Sequence, residues 1–165
     1  MGYREEYLAL IERLYKLTLD FYGERLVTFA IFGSVAKDTF RPDSDIDILI
    51  ISEDLPRGRT KRILEFEHNI GQKISQDLKD LAKKGIYPYL SPVFKTKEEV
   101  KHGSSIFLDM TENVMIIFDK DDFFKNYLSD LKSKLNRLGS KKVYFKGGYY
   151  WLLKPDYKPG DIIEL

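Results

Sequence analysis

The chain has 165 residues, 43% hydrophobic and 14% aromatic, which suits one compact domain with an appendage and excludes a disordered composition. It contains no cysteine, so disulfides, thiolate metal sites and cysteine nucleophiles are excluded. A net charge of +1 argues against a dedicated nucleic-acid binder, yet residues 125–165 hold nine Lys/Arg and four Asp/Glu, a balance of +5, against −4 for residues 1–124.

Residues 3–21 read as an amphipathic helix, with Tyr3, Tyr7, Leu10, Leu14 and Leu17 at three- and four-residue spacing and Gly23 as its stop. This N-terminal stretch interleaves charges and lacks the apolar segment of a signal peptide. No apolar run approaches the ~20 residues of a membrane span. A cytosolic protein without membrane contact is expected. Leu26–Phe32 is a short apolar run ending at Gly33, a buried strand, and residues 34–38 have room for a turn or two of helix. Asp43 and Ser44 introduce Asp45–Ser52, a strongly β-branched strand.

Residues 58–84 form a long helix with an Ile63, Phe66, Ile70, Ile74, Leu78 and Leu81 stripe. Residues 87–96 read as a third strand, pushed towards a sheet edge or a bulge by Pro88 and Pro92. Residues 97–113 are helical with a break near Gly103, residues 114–118 are a fourth strand, and residues 121–138 a final helix. Two short β-rich runs around a Gly147–Gly148 turn then predict a hairpin. The division expected is a core of residues 1–119 and a helix–hairpin extension, residues 120–165, packed on it.

Chemistry concentrates between Phe32 and Ile50. A strand delivers Gly33 and Ser34 to a helix start, and ten residues later a strand opens with Asp45 and Asp47. Strand side chains alternate, so the two carboxylates share one face while Ile46 and Ile48 take the other. Adjacent same-face carboxylates suit Mg²⁺, which takes few protein carboxylates and completes its shell with substrate phosphates. Glycine admits a phosphate close to the backbone, and serine at a helix start adds a hydroxyl beside free N–H groups. Together they describe a phosphoryl- or nucleotidyl-transfer site. Taken separately, a Gly-Ser pair is ordinary turn chemistry, and so is an Asp-Ser-Asp run.

The Gly33-Ser34 pair followed by Asp45-Ile46-Asp47 resembles the signature of the DNA polymerase β-like nucleotidyltransferase superfamily, and most of all its minimal nucleotidyltransferases, small prokaryotic proteins often encoded beside HEPN-domain partners. The resemblance implies an α+β fold, a mixed β-sheet backed by helices, here carrying the C-terminal helix and hairpin. It implies Mg²⁺-dependent transfer of a nucleoside monophosphate from an NTP, with ATP expected, to a hydroxyl of a protein, RNA or small molecule. On it, Asp45 and Asp47 are catalytic and metal-binding and Gly33 and Ser34 bind phosphate. Active members carry a third carboxylate on the next strand, which here has no Asp or Glu; Ser91 falls where it is expected, leaving Asp109 or Asp156 as substitutes. A second reading stays open, an NTP-binding regulatory or antitoxin-like subunit with weak or no turnover that acts by binding a HEPN-type partner.

The remaining polar candidates read more simply. His68 and His102 are isolated. Arg57, Arg59, Lys61 and Arg62 form a basic run at a helix start, where a triphosphate contact competes with plain solvation; Lys37 and Arg41 lie between the motif halves. Lys141, Lys142 and Lys146 interleave with Tyr144, Phe145, Tyr149, Tyr150 and Trp151, a pattern that serves either core packing or recognition of a partner or RNA.

Overall fold

A computed structural model describes residues 2–165. Its centre is a four-stranded sheet in the order β3-β2-β1-β4, formed by β1 (Leu26–Phe32), β2 (Asp45–Ser52), β3 (Tyr89–Lys95) and β4 (Met115–Asp119). β1 runs antiparallel to both β2 and β4, whereas β2 and β3 are parallel. A parallel pair cannot be closed by a tight turn. The chain crosses over through α3 (Arg59–Phe66), one π-helical turn at Glu67–Gly71, and α4 (Gln72–Lys83).

Apart from Asp45 and Asp47 at the head of β2, and Thr28 and Ser52, the two central strands are apolar because both faces of the sheet are covered. Ile46, Ile48 and Ile50 enter one cluster with Phe29 and Ile31, beneath α1 (Tyr3–Tyr22) and α3–α4, which contribute Tyr7, Leu14, Phe66, Ile70 and Ile74. Leu49 and Ile51 enter the opposite cluster with Val27 and Ala30. The short α5 (Lys97–His102) and α6 (Ile106–Met110) cover that face together with α7 (Phe123–Leu138), through Val100, Phe107, Phe124, Leu128 and Leu131. Alternation therefore assigns Asp45 and Asp47 to the α5–α7 side, in register with Leu49 and Ile51.

α7 begins at Phe123 rather than Asp121. Asp121 and Asp122 both adopt left-handed backbone, and Asp119 caps the helix from β4 by accepting the N–H groups of Phe124 at 3.0 Å and Lys125 at 2.9 Å. Beyond Gly139 come β5 (Lys141–Phe145) and β6 (Gly148–Leu152), a hairpin that forms its own two-stranded sheet. Its turn is Lys146–Gly147, one residue earlier than the Gly-Gly pair suggests, because Gly148 is already paired with Phe145 and it is Gly147 that takes positive φ. Among the described residues, no helix is long and apolar enough to cross a membrane.

Candidate active site

Phe32, the last residue of β1, pairs with Asp47, so Gly33 leaves the sheet directly beside that carboxylate. There the chain turns into α2 (Gly33–Ala36) with Gly33 at φ +68°. A Cβ on Gly33 would lie 2.1 Å from Asp47 Oδ2, a distance that no side chain tolerates. Glycine is thus favoured twice, for the left-handed backbone and because any side chain would displace the carboxylate packed against its Cα. The structure brings all four predicted residues together: Gly33 and Ser34 at a strand-to-helix junction, Asp45 and Asp47 on the neighbouring strand.

The loop between α2 and β2 is held from behind. Phe40 is buried against Tyr7 and Tyr3, with ring centroids 4.8 and 5.6 Å away. Tyr3 donates its hydroxyl to the Phe40 carbonyl at 3.2 Å and Tyr7 donates to the Ser44 carbonyl at 2.8 Å. Ser44 closes the turn by accepting the Arg41 N–H on Oγ at 2.8 Å. The Tyr87 N–H reaches the Pro42 carbonyl at 2.7 Å, tying the start of β3 to the same loop. Burial first, and Asp43 next, push the Tyr7 hydroxyl up to about 12, which keeps it a hydrogen-bond donor.

Asp45 is exposed at the mouth and Asp47 sits half-buried behind it. Burial raises the Asp47 carboxyl above its usual value, the Asp45 charge adds to this, and the Ser91 hydroxyl alongside partly offsets both. Two carboxylates that repel each other, one of them desolvated, form a donor set that a divalent cation would relieve. Two are also as many as Mg²⁺ needs from protein when a triphosphate supplies the rest. Among the described residues no third carboxylate or histidine joins them.

The expected place of a third acid is filled as the sequence suggests, since Ser91 on β3 is the Cα partner of Asp47 in the parallel register. Neither proposed substitute takes over. Asp109 on α6 accepts hydrogen bonds from the Tyr149 hydroxyl and from Trp151 Nε1 at 2.9 Å, and lies 3.3 Å from Lys142. It anchors the hairpin. Asp156 is exposed in the C-terminal turn.

Other candidates are placed as follows. His68 and His102 are exposed. Arg62 is a structural clamp: it forks onto Glu99 at 2.8 and 2.9 Å and donates to the Pro56 and Phe94 carbonyls. Arg57 and Arg59 line a cavity of about 350 Å³ with Lys95, at the end of β3 away from Asp45. The three arginines of the basic run therefore gather at the end of the sheet away from the carboxylates. Arg41 pairs with Asp43 at 3.3 Å. Lys37 places its ammonium 5.7 Å from the Tyr149 ring centroid, which sets the hairpin beside α2. Two residues near the site were missed from sequence. Tyr89 is exposed at the head of β3 and pairs with Asp45; its signal was the register between β2 and β3. Tyr149 was read only as part of an aromatic pattern, and no local signal links it to Lys37.

Comparison with known proteins bears on the family and the fold. The family model described as "Nucleotidyltransferase domain" matches residues 11–111. A relative from Methanocaldococcus jannaschii, named "Putative protein adenylyltransferase MJ1305", is 31% identical over 127 residues, 71% of this chain and 75% of its own length. The crystal structure of a spectinomycin adenyltransferase from Enterococcus faecialis with ATP and spectinomycin superposes with a TM-score of 0.54 at 14% identity, over 80% of this chain and 66% of that one. A toxin–antitoxin structure with AMP-PNP aligns at a TM-score of 0.44 and 15% identity, over 78% of this chain and 88% of that one.

Proposed function

This chain belongs to the nucleotidyltransferase domain family, and from that premise we propose that it transfers the adenylyl group of ATP to a hydroxyl of a protein. The observation that carries the reading is the contact of Gly33 with Asp47, which puts a glycine turn and a carboxylate pair against each other. In the reaction, the acceptor oxygen forms a bond to the α-phosphorus, the bond to the bridging oxygen breaks, pyrophosphate leaves, and the hydroxyl proton passes to solvent or base. Gly33 and Ser34 receive the leaving phosphates: backbone N–H groups of the first turn of α2 have no helical acceptors, and the Ser34 hydroxyl adds a donor. Asp45 and Asp47 would hold Mg²⁺, whose chemistry is to neutralise phosphate charge and orient the triphosphate. β1 and β3 flank β2 on opposite sides, so Tyr89 and Ser91 stand across the carboxylate pair from Gly33 and Ser34. A protein acceptor is supported by the name of the 31% identical relative.

One observation favours slow chemistry. Ser91 stands where an acid would take the acceptor's proton, and general-base help is typically worth about 10²–10⁴-fold. The second reading, a regulatory NTP-binding subunit paired with a HEPN-type protein, rests on that serine and on the sequence resemblance.

The test is thermal melting with and without Mg²⁺ and ATP, with mass spectrometry of the acceptor for adenylyl addition. Mg²⁺ with ATP should raise the melting temperature, and Asp45→Asn with Asp47→Asn should remove the gain while the fold persists. A double variant that responds as fully as the parent would refute the assignment.

A further inference from the structure

The hairpin is attached to the domain by one face only. On that face Lys142, Tyr149 and Trp151 gather around Asp109, and Lys142 also pairs with Glu112 at 2.8 Å. Cross-strand register places Lys141, Val143 and Phe145 of β5 on the opposite face, with Tyr150 and Leu152 of β6. That outer face is open: Phe145 is 58% and Tyr150 51% exposed, with ring centroids 6.1 Å apart. No backbone hydrogen bond joins either strand of the hairpin to another element among the described residues, so its outer edges keep unpaired N–H and C=O groups.

Charge narrows what fits there. Residues 141–152 contain three lysines and no acidic residue. Lys142 is consumed by Asp109 and Glu112, whereas Lys141 and Lys146 are exposed with no acidic partner among the described residues. Rings flanked by free cations and an open strand edge suit an extended, acidic, partly apolar chain. Main-chain pairing gives such a chain affinity, and alternate side chains meet the rings and lysines. The location narrows it again. The contact between Tyr149 and Lys37 sets the hairpin beside α2, on the side of the sheet that carries Asp45 and Asp47.

We propose that the outer face of the hairpin, along β5, docks an acidic extended segment of the acceptor protein and so presents that protein to the carboxylate pair. The proposal rests on the protein-acceptor reading above and adds to it the acceptor's recognition chemistry. The alternative class, single-stranded RNA, would also use lysines and aromatic stacking, but the hairpin offers two free lysines and open strand edges rather than a charged track along a backbone.

The full chain without nucleotide is titrated into a fluorescein-labelled peptide of alternating Glu and Val, into the same peptide with Lys for Glu, and into a single-stranded RNA oligonucleotide, read by anisotropy. The Glu peptide should bind best and weaken with salt. Lys141→Glu with Lys146→Glu, and separately Phe145→Ser with Tyr150→Ser, should each weaken it roughly tenfold or more. Both variants should keep the parent's melting temperature gain with Mg²⁺ and ATP, since neither touches that site. Equal binding of the Lys peptide, tighter binding of RNA, or undiminished binding by both variants would overturn the docking surface. Loss of the nucleotide gain in the parent chain, with peptide binding intact, would instead refute the catalytic reading and leave the surface standing.

Discussion

Replacing Gly33 by alanine tests whether the turn and the carboxylate pair work as one unit. Two effects follow from the geometry. Alanine at φ +68° costs about 1–2 kcal/mol in left-handed backbone, which in a domain of this size lowers the melting temperature by roughly 2–8 °C. The new methyl would also stand 2.1 Å from Asp47 Oδ2, whereas ordinary contact begins at 3.4 Å, so the carboxylate must retreat by 3.4 − 2.1 = 1.3 Å. The stability cost is modest, but the displacement falls on the group assigned to the metal, and a misplacement of about 1 Å can cost on the order of 10²-fold in rate. The assay is melting of parent and variant at increasing Mg²⁺–ATP. A ligand at about 100 times its Kd stabilises the parent by about 2.7 kcal/mol, roughly 5–10 °C here. The variant should fold and show little of that gain. A Gly33→Ala protein with the full gain and undiminished transfer would refute the reasoning, because the carboxylate could then not be both against Gly33 and essential.

Asp47→Asn should separate stability from function. The Asp47 carboxyl is held above its usual value by burial and then by Asp45, so the unfolded chain ionises first and ligand-free stability falls as pH rises from the ordinary carboxyl range to the raised value. The ligand-free variant should melt above the parent at neutral pH, with a difference that shrinks on acidification, and a lower melting temperature there would contradict the reading. Glu99→Gln tests the Arg62 clamp. The forked hydrogen bond from Arg62 draws the Glu99 carboxyl from 4.5 down to about 2, so its contribution is complete above about 4.5 and is lost as pH falls towards 2. With Glu99 39% exposed, screening leaves about 1–2 kcal/mol of destabilisation at neutral pH, visible in denaturant titration and absent near pH 2.

β1 and β2 were legible to the residue because each is a β-branched run bounded by chain-breaking chemistry, Gly33 after one and Asp43-Ser44 before the other. The pair Asp45 and Asp47 was legible for the same reason: a charge inside an otherwise apolar strand needs a purpose. Pro88 and Pro92 left an edge strand or a bulge open for β3, and the structure has the edge strand; it starts at Tyr89 because the Tyr87 N–H is spent on the Pro42 carbonyl. The π turn at Glu67–Gly71 carries no periodic signature, since it inserts one residue into an amphipathic stripe that continues on both sides. Lys142 and Asp109 show where reading by segments stops. One belonged to a basic surface and the other to a search for a missing acid, yet thirty-three positions apart they neutralise each other beneath the hairpin.

That attachment has a consequence for how the molecule responds to its surroundings. The sheet and its helices are joined by hydrocarbon, which added salt strengthens if it does anything. The hairpin is joined by Trp151 and Leu153 against the second cluster and, in addition, by Asp109, Glu112, Lys142 and two ring donors, polar contacts that mobile ions screen in part. Ionic strength therefore acts on one side of the cleft with little effect on the other. In dilute buffer the hairpin amides should exchange with deuterium slowly, and in concentrated chloride they should open as a unit well before β1 or β2. Lys37, released from the ring of Tyr149, would then turn towards solvent, and the same chain would present a wider cleft without any change in its core.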